Sequence, residues 1–327
     1  MLSNSPHGRQ TAPGGSADPD PSVDLAAVPG LGVRVDEPLA AYSTFRIGGP
    51  AERLVEVDRD SALAALCAYA HTHGVPFQIV GLGSNVLFPD AGLSGLVVRL
   101  AGSFGRCRFS GDRVFAGGAV SLPKLALQAA RRGLVGLEAL SGFPSSVGGA
   151  VFMNAGCYGT EISDLLLRAR TISAAGERRC LTVDDLEPAY RSTKLQGSGE
   201  IVTRAVLQLE AGDADRALTR IRELNEKRWA SLPYGRPNAG SIFKNPAGDY
   251  AGRLIEAVGF KGLRCGGAEI SAQHANVIVN LGDASADDVL ELMVRARLEV
   301  ASRFGVELEP ELVLTGSLGE RWRQAIR

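Results

Sequence analysis

The sequence has few of the residues that bind metals or form disulfides. Five cysteines are scattered along the chain without a CxxC pair, and four histidines form no HExxH motif. The close pair His71 and His73 falls at a predicted helix end, which we interpret as helix-terminal charge. Because zinc sites need closely spaced ligands and disulfide frameworks need an even cysteine count, we expect no metal, no disulfides and a reducing compartment.

Excess charge and long apolar runs are also missing. With 35 Lys+Arg against 36 Asp+Glu, the net charge is -1, which argues against a nucleic-acid binder that works by bulk positive charge. No run reaches the roughly 18 apolar residues of a membrane helix, and the N-terminus lacks a signal-peptide core.

The composition of residues 1–28, which are rich in Pro, Gly, Ser and Asp, predicts a disordered tail. We expect a soluble, cytoplasmic monomer with no nucleic-acid or membrane partner.

Glycine is abundant instead, at 40 of 327 residues, or about 12% where about 7% is usual. Segments in which every second residue is apolar alternate along the chain with segments in which apolar residues repeat at helical spacing. This alternation indicates a mixed α and β protein. The predicted strands are Ala51–Val57, Pro76–Val80, Gly95–Leu100, Arg113–Ala116, Ala169–Ser173, Glu177–Val183, Ile201–Leu209, Ala275–Val279 and Glu311–Leu314. The predicted helices are Asp60–His73, Ser121 to Gly133, Ala214–Arg228, Leu254–Val258 and one that begins at Ser285 and reaches Phe304. Shifts in pattern place domain boundaries near residues 102 and 212, which divides the chain after the tail into 29–102, 103–212 and 213–327.

The first ligand-binding candidate is the loop Gly81-Leu82-Gly83-Ser84-Asn85, which follows a predicted buried strand. Successive amides in such a loop can surround an anion, with Ser84 and Asn85 adding side-chain donors. Val86 stands where the third glycine of a GxGxxG motif belongs, and no Walker A lysine is present, which disfavours nucleotide hydrolysis. On this motif alone, an ordinary strand-to-loop turn is an equal alternative.

The second candidate is the stretch from Gly142 to Gly156, which contains Gly142-Phe143-Pro144-Ser145-Ser146-Val147-Gly148-Gly149 and then Asn154-Ala155-Gly156. Small and hydroxyl-bearing residues let the backbone approach a flat, polyanionic ligand closely. The same residues are also compatible with close chain-to-chain packing. Two such loops in one half of the chain favour a dinucleotide cofactor.

A third candidate is the polar loop Asn238–Pro246, which no helix or strand pattern explains. Ser241 lies in this loop without a GxSxG elbow, so acyl transfer is disfavoured. Considered singly, Ser241 is compatible with a turn hydroxyl, and Arg191 and Glu311 with surface charges. Their spacing does not indicate that the three meet.

Taken together, the motifs resemble one enzyme family, the UDP-N-acetylenolpyruvoylglucosamine reductases (UDP-N-acetylmuramate dehydrogenases), which are flavoenzymes of peptidoglycan synthesis. The resemblance extends from about residue 36 to residue 317. The motifs that carry it occur in this order: Tyr42–Gly49, Gly81–Asn85, Gly142–Tyr158, Tyr190-Arg191, Gly240–Pro246, Gly266–Asn280 and Glu309-Pro310-Glu311.

The resemblance implies an α+β fold of the vanillyl-alcohol-oxidase type, in which two α+β subdomains bind FAD and a C-terminal α+β domain binds substrate. It implies NADPH as the hydride donor and UDP-N-acetylglucosamine enolpyruvate as the substrate. The cofactor-binding residues that it implies are Thr44, Arg46, Gly48, Gly81, Gly83, Ser84, Asn85, Gly142, Pro144, Ser145, Ser146, Gly148, Gly149, Asn154 and Gly156.

The resemblance also assigns catalytic roles. Reduced flavin would pass a hydride to the enol-ether methylene carbon, so charge would build on the neighbouring carbon and its carboxylate. Arg191 would supply the cation for that carboxylate, a protonated Glu311 would polarise it, and Ser241 would give the proton. The substrate-binding residues implied are Tyr190, Lys244, Asn245 and His274.

Two features depart from the family pattern. Ser145 replaces a glycine common in the family, where its hydroxymethyl group would either crowd FAD or donate to it. About fifty residues separate Arg191 from Ser241, which resembles the shorter subgroup without an inserted tyrosine lid, so Tyr190 is not assigned that lid role. The alternatives are an oxygen-using oxidase of the same fold and a flavin- or nucleotide-sugar-binding protein without catalysis.

Overall fold

The computed structural model describes Leu25 and residues 28–327. The predicted disordered tail, residues 1–28, lies outside the described residues except for Leu25 and Val28. Over the described part of the chain, no helix is both long and apolar enough to cross a membrane.

The first part of the chain forms a four-stranded sheet with one covering helix. Its elements are β1 (Leu31–Pro38), β2 (Pro50–Val57), α1 (Asp60–His73), β3 (Phe77–Ile79), β4 (Val86–Leu87) and β5 (Leu93–Leu100). The strand order is β1-β2-β5-β3, in which β2 and β3 run parallel to β5 and β1 is antiparallel to β2. Helix α1 ends at Gly74 in the left-handed conformation, as predicted, and packs Leu63 and Leu66 against the sheet.

The second part is an antiparallel five-stranded sheet of order β12-β11-β13-β7-β6. Its elements are β6 (Cys107–Ser110), β7 (Arg113–Gly117), α2 (Leu122–Ala130), β8 (Leu134–Val135), α3 (Val147–Met153), β9 (Gly156–Cys157), β10 (Thr160–Glu161), β11 (Leu166–Ile172), β12 (Arg178–Thr182), α4 (Val183–Leu186), β13 (Ile201–Gln208) and β14 (Glu210–Ala211). Helices α2 and α3 share one hydrophobic core with the inner face of this sheet.

The third part combines helices with a small three-stranded sheet. Its elements are α5 (Ala214–Ser231), α6 (Ala251–Ala257), β15 (Arg264–Cys265), β16 (Ala268–Ile270), β17 (Ile278–Asn280), α7 (Ala286–Phe304), β18 (Val313–Leu314) and α8 (Leu318–Ala325). The strand β18 returns to the first part and pairs in parallel with β4. Helix α5 buries Ala217 and Ile221 in the core of the second part. The three main sheets lie within the predicted segments 29–102, 103–212 and 213–327, whose division into domains stays a prediction.

The structure differs from the sequence pattern in several elements. Helix α2 ends at Ala130 rather than at Gly133, and the elements that were not predicted include the strands β1, β6, β15 and β16 and the helices α3, α4 and α8. The segment of α3 contains two glycines, which are poor helix formers. It is helical because the Ser146 hydroxyl accepts from the N–H of Gly149 and because the helix lies directly against the sheet. A Cβ at Gly148 would stand 3.0 Å from the carbonyl oxygen of Gly118, so glycine permits this close packing without a shift of the neighbouring chain.

Candidate active site

A cavity of about 940 Å³ lies where the three parts of the chain meet. The loop after β3, the turn that enters α3 and the loop around residues 238–245 form its walls. Ligand sites commonly measure about 300–1,000 Å³, so this cavity has room for an extended ligand. The loop after β3 stands at the carboxyl ends of parallel strands, which is where open α/β sheets bind ligands.

The loop Gly81–Asn85 presents its backbone to this cavity. None of its five N–H groups donates a hydrogen bond to any residue that the structure describes. Gly83 has φ +65°, and a Cβ there would stand 1.8 Å from the carbonyl oxygen of Tyr42. The loop is held by Thr44, whose N–H donates to the Gly83 carbonyl at 3.0 Å. Successive backbone N–H groups without protein acceptors form a concave anion site, so this row of amides fits an anionic group such as a diphosphate.

The turn that enters α3 faces the first loop across the cavity. Pro144, Ser145, Ser146, Gly148 and Gly149 line it, and the N–H groups of Ser145 and Ser146 have no acceptor within the described residues. The Ser84 hydroxyl donates to the carbonyl of Pro144 and so ties the two loops together. The Ser145 hydroxyl donates to the Ser146 carbonyl at 3.0 Å. The main chain therefore holds the extra hydroxymethyl group of Ser145.

Four predicted cofactor residues lie outside the cavity lining: Arg46, Gly48, Gly142 and Asn154. Arg46 is exposed. Gly48 packs closely on Phe88, because a Cβ added at Gly48 would stand 2.7 Å from the Cβ of Phe88. Asn154 is buried and ends α3 in the left-handed conformation. Gly48 and Asn154 thus have packing and turn-forming contacts, and the cofactor-binding role of all four residues stays a prediction. The other eleven predicted cofactor residues, Thr44 and Gly156 among them, line the cavity.

The three predicted catalytic residues, Arg191, Ser241 and Glu311, line this same cavity. Arg191 has φ +54°, a conformation that costs an L-residue roughly 1–2 kcal/mol. Its Nε donates to Glu311 Oε1 at 2.8 Å, and its Nη2 donates to the carbonyl of Gly156 at 2.8 Å. These bonds hold the guanidinium by two of its three nitrogens and leave Nη1 without a partner among the described residues.

Glu311 lines the cavity with its side chain largely buried. Burial raises the pKa of its carboxyl above the usual value, although the neighbouring Arg191 acts in the opposite direction. Its backbone N–H donates to the Ile242 carbonyl at 2.8 Å, and the Asn85 side chain donates to its carbonyl at 3.0 Å. These two bonds fix the backbone of Glu311 between the C-terminal part and the first loop, and Arg191 holds its carboxyl.

Ser241 lies in an extended segment between two neighbouring segments of chain. On one side it forms a β-bridge with Val277, and on the other Phe243 forms one with Pro310. The bond from Glu311 N–H to the Ile242 carbonyl sets Ser241 beside Glu311 in space, although seventy residues separate them in sequence. The Ser241 hydroxyl lines the cavity and makes no hydrogen bond to the residues described in the structure.

Of the four predicted substrate residues, the structure places Asn245 in the lining and Tyr190, Lys244 and His274 outside it. Lys244 pairs with Glu309 at 3.7 Å. Tyr190 is 47% exposed, with its ring beneath Arg191 at 5.0 Å. Burial lowers the pKa of His274, and its Nδ1 accepts from the N–H of Asn276 at 3.3 Å.

Several lining residues were missed in the sequence. Gly118 and Ala119 follow β7, and Arg228 projects from α5, which looked like an ordinary charged helix. Tyr158, Tyr234 and Tyr250 line the cavity while remaining about half to two-thirds exposed. The glycine pair after a predicted strand was a usable signal for Gly118. No sequence pattern distinguished Arg228 from the other arginines of its helix.

Comparison with known proteins identifies the two halves of this site. Residues 51–181 match a family described as FAD binding domain, and residues 232–315 match the C-terminal domain of UDP-N-acetylenolpyruvoylglucosamine reductase. A reductase of that name from Symbiobacterium thermophilum is 46% identical over 87% of this chain and 92% of its own length. One from Bacillus velezensis is 37% identical over 86% of this chain and 93% of its own length.

A solved structure agrees with these relatives. The crystal structure of UDP-N-acetylenolpyruvylglucosamine reductase from Thermus caldophilus covers 88% of this chain and 99% of its own, with a TM-score of 0.75 and 38% identity. The predicted fold, a vanillyl-alcohol-oxidase-type FAD-binding unit followed by a C-terminal substrate domain, is confirmed. The chain belongs to the UDP-N-acetylenolpyruvoylglucosamine reductase family.

Proposed function

We propose that this protein reduces UDP-N-acetylglucosamine enolpyruvate to UDP-N-acetylmuramate with electrons from NADPH, a step of peptidoglycan synthesis. The observation that carries the proposal is the meeting of Arg191, Ser241 and Glu311 in one cavity with two loops of unpaired amides. Family membership supports the same reaction. The oxidase and the non-catalytic binding protein are not favoured, since neither requires these three side chains together.

The residues of the two loops fit FAD. The amides of Gly81–Asn85 and those of Ser145 and Ser146 would hold its diphosphate, because they are donors without protein acceptors among the described residues. Gly83 and Gly148 would let the backbone approach closely, since a side chain would clash at Gly83 and would be tightly packed at Gly148. When bound and reduced, FAD supplies a hydride from N5 to the enol-ether methylene carbon.

Arg191 and Glu311 act on the substrate carboxylate. The Nη1 of Arg191 donates to it, while Nε and Nη2 keep the guanidinium fixed. The proposal takes Glu311 in its protonated form, as the family resemblance implies; burial, which raises its pKa, favours that form, and the proton would stand on Oε2, since Oε1 accepts from Arg191. That proton gives the carboxylate a second donor as negative charge moves onto it. Fixed donors aimed at developing charge are among the largest contributions to enzyme catalysis.

Ser241 gives its hydroxyl proton to the carbon next to the carboxylate. The hydroxyl is a weak acid, but the acceptor is a reactive carbanion-like centre and the donor is held in place by bridges on both sides of its segment. No described protein group accepts from this hydroxyl, so its proton is available to the substrate.

The proposal includes a cytoplasmic monomer. All five cysteines are free thiols, which supports a reducing compartment. One chain supplies every residue of the cavity wall named above, so the site does not require a second copy. Sedimentation of the purified protein measures the oligomeric state.

A flavin assay tests the proposed function. The purified protein should be yellow, should bleach on anaerobic titration with NADPH, and should regain its colour when the enolpyruvyl nucleotide is added. UDP-N-acetylglucosamine, which lacks the enolpyruvyl group, is the matched control and should leave the protein bleached. A preparation that takes up no FAD, or one reoxidised by oxygen but not by the enolpyruvyl nucleotide, would contradict the proposal.

A further inference from the structure

The proposed catalytic residue Arg191 lies in a tight turn with an unusual backbone. Ala189 and Ser192 exchange two backbone hydrogen bonds of 3.0 Å and so close a four-residue turn in which Arg191 is the third residue. A positive φ at the third residue is typical of a turn type in which glycine or asparagine usually stands there, yet Arg191 has φ +54°. A non-glycine residue persists in that conformation only where its surroundings hold it. Contacts from outside the turn therefore fix Arg191.

The buried side chain of Asn154 contacts this turn. Its Nδ2 donates to the carbonyl of Ala189 at 3.0 Å, so this carbonyl accepts from both Asn154 and Ser192. Asn154 Nδ2 also donates to Glu161 Oε2 at 2.6 Å, and its Oδ1 accepts from the N–H of Ser163 at 3.3 Å. Hydrogen bonds to a carboxylate are among the stronger ones in proteins. The turn is therefore attached to a side chain that is itself held at both its nitrogen and its oxygen.

The main chain after Asn154 contacts the guanidinium of Arg191. Asn154 ends α3 in the left-handed conformation, and the chain then enters β9, where the Gly156 carbonyl accepts from Arg191 Nη2 at 2.8 Å. Asn154 is thus linked to the backbone of the turn by its side chain and to the guanidinium by the residue two positions later. The bond from Arg191 Nε to Glu311 is the remaining hydrogen bond of the guanidinium among the described residues.

Two further bonds attach the segment that follows the turn. The Thr193 hydroxyl donates to the carbonyl of Phe152 at 2.8 Å, and Gln196 Nε2 donates to the Arg191 carbonyl at 3.2 Å. These bonds do not depend on the Asn154 amide. We therefore expect a variant without that amide to lose the position of Arg191 while it keeps the fold.

We infer that Asn154 is a positioning residue for Arg191, because it holds the turn that directs the guanidinium to the substrate carboxylate. The inference rests on the proposed function for the role of Arg191. Asn154 acts through Arg191, since it lies outside the cavity lining, and this role differs from the cofactor binding that the family resemblance implied. A displacement of about 1 Å in a group that positions the substrate can cost about 100-fold in rate.

The test compares Asn154→Gly with Glu187→Gly in the FAD-loaded protein. Glycine tolerates the left-handed conformation at both positions, so only the side chain is lost. Glu187 is the matched control, because it ends α4 in the same conformation and its exposed carboxylate pairs with Lys194 at 2.5 Å. By anaerobic stopped flow, Asn154→Gly should slow reoxidation by the enolpyruvyl nucleotide about 10- to 100-fold and change flavin reduction by NADPH less than about threefold. Glu187→Gly should change neither rate by more than about twofold.

Two readouts separate positioning from a general structural role. In the Arg191→Ala background, Asn154→Gly should slow reoxidation by less than about threefold, because the effects of residues that act through one another are not additive. In calorimetry, Asn154→Gly should weaken the binding of UDP-N-acetylmuramate, which carries a carboxylate, about 10-fold. The affinity for UDP-N-acetylglucosamine, which lacks that carboxylate, should stay within about twofold of wild type.

Any of five results would overturn the inference: unchanged reoxidation, equal slowing of both half-reactions, an additive effect in the Arg191→Ala background, unchanged affinity for UDP-N-acetylmuramate, or loss of FAD from folded protein. Asn154→Asp is the second variant if the glycine variant does not fold, because an ionised carboxylate keeps the size of the side chain but cannot donate to the Ala189 carbonyl. Loss of folding in both variants would assign Asn154 a structural role and contradict the inference.

A crystal structure of Asn154→Gly distinguishes failure of the inference from failure of the proposed function. If the wild-type protein does not reduce the enolpyruvyl nucleotide, the proposed function fails. The inference then stands if Arg191 Nη2 has left the Gly156 carbonyl in the variant, and it fails if that bond and the positive φ of Arg191 are unchanged.

Discussion

Ser241→Ala separates the chemistry of the site from its stability. The hydroxyl makes no hydrogen bond to any described residue, and the main chain of Ser241 is held by its bridge to Val277. Removing the oxygen therefore leaves no described protein donor or acceptor unpaired. The free energy of unfolding should change by less than about 0.5 kcal/mol, and FAD should remain bound.

The effect on catalysis should be much larger. Loss of a general acid commonly costs about 10²- to 10⁴-fold in rate, which corresponds to about 2.7–5.4 kcal/mol in the barrier. The reduction of the flavin by NADPH needs no proton from Ser241, so that half-reaction should stay within about threefold of wild type. The loss should fall on reoxidation by the enolpyruvyl nucleotide.

Anaerobic stopped-flow absorbance measures the two half-reactions separately. Ser103→Ala is the control, because Ser103 is exposed, donates to the Asp58 carbonyl and is not among the lining residues. Equal slowing of both half-reactions by Ser241→Ala would show that the residue shapes the site rather than gives the proton. Slowing of reoxidation by less than tenfold would also refute the proton-donor role.

Further predictions concern the remaining site residues. Arg191→Lys should lower turnover at least about 100-fold, because an ammonium cannot donate to Glu311, Gly156 and a substrate carboxylate in one plane; near-normal steady-state turnover would remove Arg191 from the mechanism. The pKa of Glu311 is raised, so the reoxidation rate should fall as pH rises through that folded-state value. The contribution of Glu311 to the free energy of unfolding depends on pH in the same direction. It is fully present below the unfolded-state pKa of Glu311 and is lost as the pH rises through the folded-state pKa. Glu311→Gln should abolish this fall of the reoxidation rate with rising pH. If the fall is unchanged in the variant, another group causes it. Gly83→Ala should yield protein with little bound FAD by absorbance, because its Cβ would stand 1.8 Å from the Tyr42 carbonyl oxygen at φ +65°; full flavin occupancy would contradict the close approach.

Local chemistry determined many of the elements in advance. The helix from Asp60 to His73 was predictable because its apolar residues repeat on one face and Gly74 can adopt the left-handed conformation that ends it. Ser285 likewise marked the start of α7 through its capping box with Asp288. The loop Gly81–Asn85 was predictable as an anion-binding candidate, because its glycines and hydroxyl carry that signal by themselves.

The catalytic group was decided by tertiary structure. Arg191, Ser241 and Glu311 come from separate segments, and no periodicity links them, so the sequence by itself left each one compatible with a surface or turn residue. They meet because the segment of Ser241 runs between those of Val277 and Pro310, and because β18 returns to pair with β4 beside the first loop. Family resemblance suggested these residues, but it could not show that Lys244 pairs outward with Glu309 while Arg228 faces the cavity.

Short-range signals thus determined the helices, the caps and the glycine loops, since each depends on residues within a few positions of one another. Which residues line the cavity depended on contacts between residues far apart in sequence. Arg46, Gly48, Gly142 and Asn154 stand in or beside the right motifs and still miss the lining, because backbone direction decides which side of a loop faces a ligand. Burial is also a property of the assembled chain, and it is burial that raises the pKa of Glu311 and leaves Arg228 Nε without a partner.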